Sequence, residues 1–518
     1  MFFTSIKSKL NKAVFFTLCL VSSWAKAQIE QNNRIELKVA SDREAFSILP
    51  LDSSGILLYR FYLGPIGSTK DQVEVMKLDT ALQVQWRGFM GVPKGNSLAS
   101  VSMLEQKIYF FFKPPQGQLG FLLYTLSPKD GSYVALPLNN VVSFNATEFV
   151  AGNETFLIGG YFNFRPIVLW YSLKTGLSKL LPGFLNEQGE ITQMKTYPGG
   201  NVDVVVSAKN SSRRKCIWIR SFNNEGDLIK TVVVEPEERK NLIFGRAAKM
   251  VNDNQIIAGV YGRNTQYARG IFVADVNPFG EYAIHYYNFA DLRNFFHYMK
   301  AKREKRVKER IERRRIKGKK VKFNYRFLVH ELIPYQDQYI MLGEAFYASY
   351  TNARANPLGV ANYGNVYSPW TYGISNRIGS TPYQNNFVFD GFQYTHAVAL
   401  GFDKDAKLIW DNSFEINGIK SFQLEQFVKI LPGKDHIVLV YMFENLIRTK
   451  IIKGEQVIEG TMQNPMKALE GEEIVKNSTR TSKVDYWYGN HFLVYGIQAV
   501  KSGNTELRVF FINKLSAH

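Results

Sequence analysis

Cysteine is nearly absent: the 518 residues hold two, Cys19 and Cys216. Cys19 lies in an N-terminal stretch with the three zones of a secretory signal: Lys7, Lys9 and Lys12, an apolar core from Ala13 to Val21, and the small-residue motif Ala25-Lys26-Ala27. Cleavage after Ala27 is expected to start the mature chain at Gln28 and to leave Cys216 alone. That excludes an intramolecular disulfide, so stability must come from core burial. Phe16-Thr17-Leu18 precede Cys19 without the small residues of a lipoprotein processing site, and no lipid anchor is expected. Long hydrophobic runs are missing too. The signal core is about nine residues against roughly 20 for a bilayer span, and no later stretch approaches that length. The mature chain is expected to be soluble or peripheral to a membrane.

Local catalytic and metal-binding motifs are also lacking. His285, His297, His330, His396, His436, His491 and His518 are dispersed at spacings that match no metal site. His330 and Glu331 are neighbours in a predicted strand and point to opposite faces, so His330 is read as structural. Asp403-Lys404-Asp405 starts like a calcium loop, but Ala406 and Lys407 follow where oxygen ligands are needed, and it is read as a hairpin turn. There is no phosphate-binding glycine loop and no nucleophile elbow. No catalytic residue, cofactor or metal is assigned. A dispersed set of acids around a channel would leave no such motif.

Helical periodicity is scarce as well, and what replaces it is a repeat. Short apolar runs alternate with Gly, Pro, Asn and Asp from about residue 47 onward. One hairpin recurs: Leu78-Asp79-Thr80-Ala81-Leu82-Gln83-Val84-Gln85-Trp86 returns as Phe402-Asp403-Lys404-Asp405-Ala406-Lys407-Leu408-Ile409-Trp410. Turns starting near 79, 127, 172, 223 and 277 give the period of about 45 to 54 residues that four-stranded propeller blades have. Before each hairpin stands an unbroken apolar run, such as Ile108-Tyr109-Phe110-Phe111 or Ile256-Ile257-Ala258-Gly259-Val260-Tyr261, suited to a strand buried on both faces. Its glycines would allow close approach where blades converge. Cys216 falls in another strand, Lys215-Cys216-Ile217-Trp218-Ile219, and is read as a buried, inert thiol.

The fold class is therefore all-β, a seven- or eight-bladed β-propeller with one helical insertion. It fills residues 28–518 after a signal peptide at 1–27. Blades are placed at 46–89, 98–137, 143–181, 190–234, 243–287, 326–414 and 421–460. A last unit, 484–515, has three strands, and Ile35-Glu36-Leu37-Lys38-Val39 could supply its fourth and close the ring. An array of β-sandwiches is the structural alternative, against which stands the absence of a Pro- or Ser-rich linker. These hairpins resemble those of quinoprotein-like and WD-repeat propellers at the level of fold. The tryptophan-docking repeats of the one and the Gly-His and Trp-Asp pairs of the other are not found, so neither activity is implied.

The period breaks in the sixth unit, twice. The net charge of +19 falls to +15 without the signal lysines and Lys26, and residues 300–322 hold +11 of that through 14 Lys or Arg against Glu304, Glu309 and Glu312. This basic insertion, 289–322, reads as a helix from about 289 to 317. It is capped by Asp291, with Leu292, Phe295, Phe296 and Met299 on one face and a thin stripe of Val307 and Ile311. Its charged part is expected to project. The second insertion, 347–390, is rich in Tyr, Asn, Ser, Gly and Pro, the composition of recognition loops. In an up-and-down blade both insertions leave on the same face. The residues singled out for partner binding are Lys302, Arg303, Arg306, Arg310, Arg313 and Arg314 in the first, and Tyr363, Tyr367, Trp370 and Tyr372 in the second.

The Asn-, Tyr-, Phe- and Lys-rich composition resembles envelope proteins of the Bacteroidetes. That resemblance implies an accessory subunit that docks on, or plugs, an outer-membrane export channel. The expected function is a non-catalytic, periplasmic scaffold or protein-binding propeller of an envelope complex. An anionic membrane surface is a further possible partner, and nucleic acid is disfavoured by export. The chain ends at Leu515-Ser516-Ala517-His518 directly after the last strand, without an appended sorting domain, which favours the periplasm over the cell surface. The alternatives are a carbohydrate-binding propeller using the aromatic loop and a propeller hydrolase or lyase with dispersed carboxylates.

Overall fold

The computed structural model describes residues 29–115, 118–139, 142–185, 188–197, 199–237, 239–248, 254–352, 383–384, 387–478 and 482–517. Residues 1–28, with the expected signal segment, and most of the second insertion lie outside them.

The apolar runs explain the architecture. In Lys107–Lys113, alternate side chains enter different cores: Ile108, Phe110 and Phe112 pack with Leu57, Val73 and Met90, while Tyr109 and Phe111 pack with Phe156 and Tyr171. A strand at period two with both faces apolar must lie between two layers. The same holds around the molecule, so the structure is a ring of face-to-face sheets. Eight antiparallel sheets form it. Seven consist of sequence-local strands and span 47–93, 97–138, 145–180, 189–234, 241–288, 326–421 and 429–465. We call these blades 1 to 7. In blade 8, Glu472–Asn477 and Lys483–Tyr486 lie end to end along one edge of His491–Ser502, Thr505–Ala517 pairs along its other edge, and the outermost strand is Ile29–Lys38 from the other end of the chain. The propeller has eight blades. A hydrophobic cluster fills each seam between neighbours, including one joining Trp487, Tyr495 and Phe510 of blade 8 to Ile56, Leu58 and Leu78 of blade 1. Each fully buried Leu or Phe there contributes about 1.5–3 kcal/mol.

The N-terminal strand closes the ring over a longer stretch than the five residues expected, with Ile29 opposite Ala517 and Lys38 opposite Val509. At its centre the Arg34 guanidinium is almost wholly buried. It donates to Glu36 Oε1 at 2.6 Å, Gln498 Oε1 at 2.7 Å and Asn513 Oδ1 at 3.0 Å, and lies over the Phe511 ring. Burial, followed by the nearby Glu472, holds the Glu36 carboxyl above its ordinary value, against the pull of Arg34.

The recurring turns work as their sequences demand. Asp79 Oδ1 accepts from the amides of Ala81 and Gln83, and Asp403 Oδ1 from those of Asp405 and Lys407. The residue two before the outgoing strand is left-handed: Leu82 at φ 63° and Ala406 at φ 61°. The run glycines act both between blades and within one: a Cβ on Gly159 of blade 3 would meet Met194 Sδ of blade 4 at 2.8 Å, whereas Gly160 and Gly259 serve their own blades. First strands carry a bulge, between Ala146 and Glu148 in blade 3 and between Leu242 and Phe244 in blade 5. A Cβ on Gly160 or Gly259 would sit 2.2 Å from Asn145 O or 2.0 Å from Phe244 O. Only glycine lets the bulged backbone come so near.

First strands of successive blades touch one another and line the middle of the ring, whereas fourth strands such as Val84–Pro93 expose one face at the rim. Among the described residues the one α-helix, α1, spans Ala301–Ile316. It starts twelve residues later than expected and is about 24 Å long. The reason is tertiary: Asp411 in the fourth strand of blade 6 captures the amides of Arg293 and Asn294 at 3.0 and 2.7 Å, so residues 289–299 form turns that insert Phe289, Leu292, Phe295 and Phe296 into the seam between blades 5 and 6. Asp291 caps nothing; its carboxylate pairs with Arg315.

Candidate functional site

Blade 6 alone carries both elaborations, and strand register puts them at one end. Arg326, where the first insertion re-enters the sheet, pairs with Phe346, just where the second strand runs on past the blade. That strand, Gln338–Asn352, and its partner Phe387–Phe402 are about twice as long as their counterparts in blades 1 to 5 and 7. Tyr347 and Tyr350 on this extended hairpin are exposed. Phe389 packs edge-on against Phe392, which stiffens its base. Tyr363, Tyr367, Trp370 and Tyr372 lie outside the described residues.

The first insertion is anchored hard. Asn294 Nδ2 donates to Asp411 O at 2.7 Å, and Ser413 Oγ donates to Asn294 O at 2.7 Å. Its return leg forms a bridge from Tyr325 to Ala268 in blade 5. Between the two legs, His396 of the third strand of blade 6 is fully buried in an aromatic box. Tyr298 stacks on it at 3.7 Å, Phe295 meets it edge-on, and the Tyr298 and Tyr325 hydroxyls are 3.2 Å apart. Burial pulls the imidazole down to about 3, so it is neutral. Asp411 is also buried, and burial raises its carboxyl against the amides that it accepts from.

On this base α1 is folded back rather than projecting. Ile311 is buried and Val307 half-buried against the seam core, so the thin stripe is the docking face. Arg315 donates to Ala290 O at 3.0 Å and pairs with Asp291 at 2.8 Å, and Glu304 holds Lys308 at 2.6 Å and His297 at 3.2 Å. These contacts fix which way the helix faces. At about 100° per residue, Arg314, Arg303, Arg310, Arg306, Arg313 and Lys302 fall on one arc roughly 120° wide, turned away from Ile311. The three glutamates lie off that arc. All six cations are exposed, and among the described residues none makes an ion pair. The structure thus brings the six basic residues chosen from the sequence onto a single face.

Other polar groups were missed by sequence reasoning. Glu344, fully buried, accepts from His330 Nε2 at 2.9 Å and from the Val428 amide at 2.6 Å, tying blade 6 to blade 7. It stands as the lone charge in an apolar run, and a lone charge in such a run needs a partner. Glu148, on the first strand of blade 3, is raised to about 7 by burial, with Arg246 opposing. A cavity of about 180 Å³ between blades 3 and 4 is lined by Pro166, Phe184, Val206, Ala208, Trp218 and Arg220. Among the described residues no three His, Cys, Asp or Glu side chains gather as a metal site. No helix there is long and apolar enough to cross a membrane.

No family model matches this chain, and no curated protein does. Solved structures do. A quinohemoprotein alcohol dehydrogenase from Pseudomonas putida is 10% identical over 95% of this chain and 76% of its own, with a TM-score of 0.46. A polysaccharide lyase is 9% identical over 94% of this chain and 100% of its own, at 0.40. The β-propeller domain of the Trilobed protease from Pyrococcus furiosus is 8% identical over 80% and 98%, at 0.35. The first two are enzymes, but likeness at this distance concerns the fold alone. The count of eight blades rests on the strand pairing.

Proposed function

We propose that this protein is a non-catalytic, exported propeller of the bacterial cell envelope, working in the periplasm as a binding subunit that docks on, or plugs, an outer-membrane export channel. One observation carries the reading: of eight blades a single one is elaborated, twice and at the same end, and the first elaboration is clamped to the ring by Asp411, Ser413 and Ile311. A clamped platform loses little freedom on binding, which favours recognition. The Tyr- and Trp-containing loop supplies the anchors that protein contacts use. The test is affinity purification of the tagged chain from native membranes, intact and as Y363A/Y367A/W370A/Y372A. Recovery of a stoichiometric envelope protein by the intact chain, and its loss from the folded variant, is expected. If both chains purify alone, the docking reading is wrong.

A second reading, a hydrolase or lyase with its acid on the inner strands, has Glu148 in its favour, since a carboxyl near 7 can donate a proton at neutral pH. Turnover of an envelope polysaccharide that is abolished in Glu148→Gln would establish it.

A further inference from the structure

The cationic face of α1 has a chemistry distinct from that of the aromatic loop. Across about 18 Å it presents Lys302, Arg303, Arg306, Arg310, Arg313 and Arg314 with no acid among them. The mature chain outside 300–322 carries only +4, so positive charge is concentrated here. The face is also held in place, because Ile311, Arg315 and Glu304 secure the opposite side of the helix. What it lacks is an anchor. Shaped protein contacts are centred on buried aromatic or aliphatic residues, and this arc has none. The helix's one large exposed apolar side chain, Ile316, sits beside it at the C-terminal end, followed by Lys317, Lys319, Lys320 and Lys322. Dense charge without shape, ending in one apolar residue among lysines, suits a fluid anionic surface better than a protein pocket.

We propose that the arginine face of α1 rests on anionic lipid headgroups, orienting the propeller at a membrane surface. The arginine forks would share headgroup phosphates. Attraction would grow about fivefold per cation near the surface and weaken as salt screens it.

Co-sedimentation of the full mature chain tests this with two kinds of vesicle, pure phosphatidylcholine and one part phosphatidylglycerol to two parts phosphatidylcholine. R303Q/R306Q/R310Q/R313Q removes four charges from the face, and K129Q/K209Q/K434Q/K501Q removes four exposed charges elsewhere. Circular dichroism and melting serve as checks of folding. The expected result is sedimentation with the anionic vesicles alone, falling with added salt. It should be retained by the lysine variant and weakened about a hundredfold or more by the arginine variant. Equal sedimentation with both vesicles, no sedimentation, or equal binding by the arginine variant overturns the proposal. So does a wild-type chain that ignores the vesicles but needs these arginines to recover a protein partner. Failure here leaves the aromatic-loop test of the docking reading untouched.

Discussion

Exchanging Arg34 for methionine tests how the ring is closed. The guanidinium makes three hydrogen bonds from a nearly sealed site, to Glu36, Gln498 and Asn513. Bonds to a charged group contribute about 1.5–3 kcal/mol each, net of the bonds to water that they replace. Removing one partner of a buried ion pair leaves the other uncompensated and costs about 3–5 kcal/mol. The same substitution leaves Glu36 beside Glu472, which already raises its carboxyl. R34M therefore raises the folded-state value further. A raised carboxyl destabilises most above its folded value and ceases to do so below its unfolded one, so the deficit should be largest at neutral pH and shrink toward about pH 4.5. R34M/E36L, which removes both members of the pair, should recover part of the loss. Urea unfolding gives the stabilities, and hydrogen exchange along Ile29–Lys38 reports the seam itself. A deficit in R34M below about 1 kcal/mol, or a double variant no more stable than the single one, would refute this account of the closure.

Three further outcomes follow from the packing. Glu148→Gln should match the wild type near pH 4.5 and exceed it by about 3 kcal/mol above pH 7. The wild-type carboxyl, raised from 4.5 to about 7, loses its contribution as pH rises through that window; unfolding curves at several pH values read it directly. Gly259→Ala drives a Cβ to 2.0 Å from Phe244 O and should cost about 3 kcal/mol, whereas Gly460→Ala, with nothing within 4 Å, should be neutral by the same assay. Ile311→Ala should cost about 2 kcal/mol, with faster exchange confined to α1 and its flanks if the helix docks through that residue.

Where structure is made by neighbours in sequence, the chain could be read. Asp79 and Asp403 announce their turns because each caps amides two and four residues on, and Tyr109 to Phe112 announce a doubly buried strand because consecutive residues face different blades. The closing strand was legible because three strands leave an edge open. What failed depends on distant partners. The helix start was misplaced because Asp411, more than a hundred residues on, takes the amides of Arg293 and Asn294. Nothing local links His330 to Glu344, or either of them to the Val428 amide. The basic residues of the candidate site were legible as a charge block, but their shared outward face depends on Ile311 docking into the seam.

The central claim is that the protein binds through the elaborated face of blade 6. Photo-crosslinking in living cells tests it most directly, with a benzophenone side chain in place of Tyr347 on the extended hairpin or of Val134 on the exposed rim of blade 2. The account predicts one discrete adduct with an envelope protein from position 347 and none from 134. No adduct at 347, or the same pattern from both positions, would contradict it.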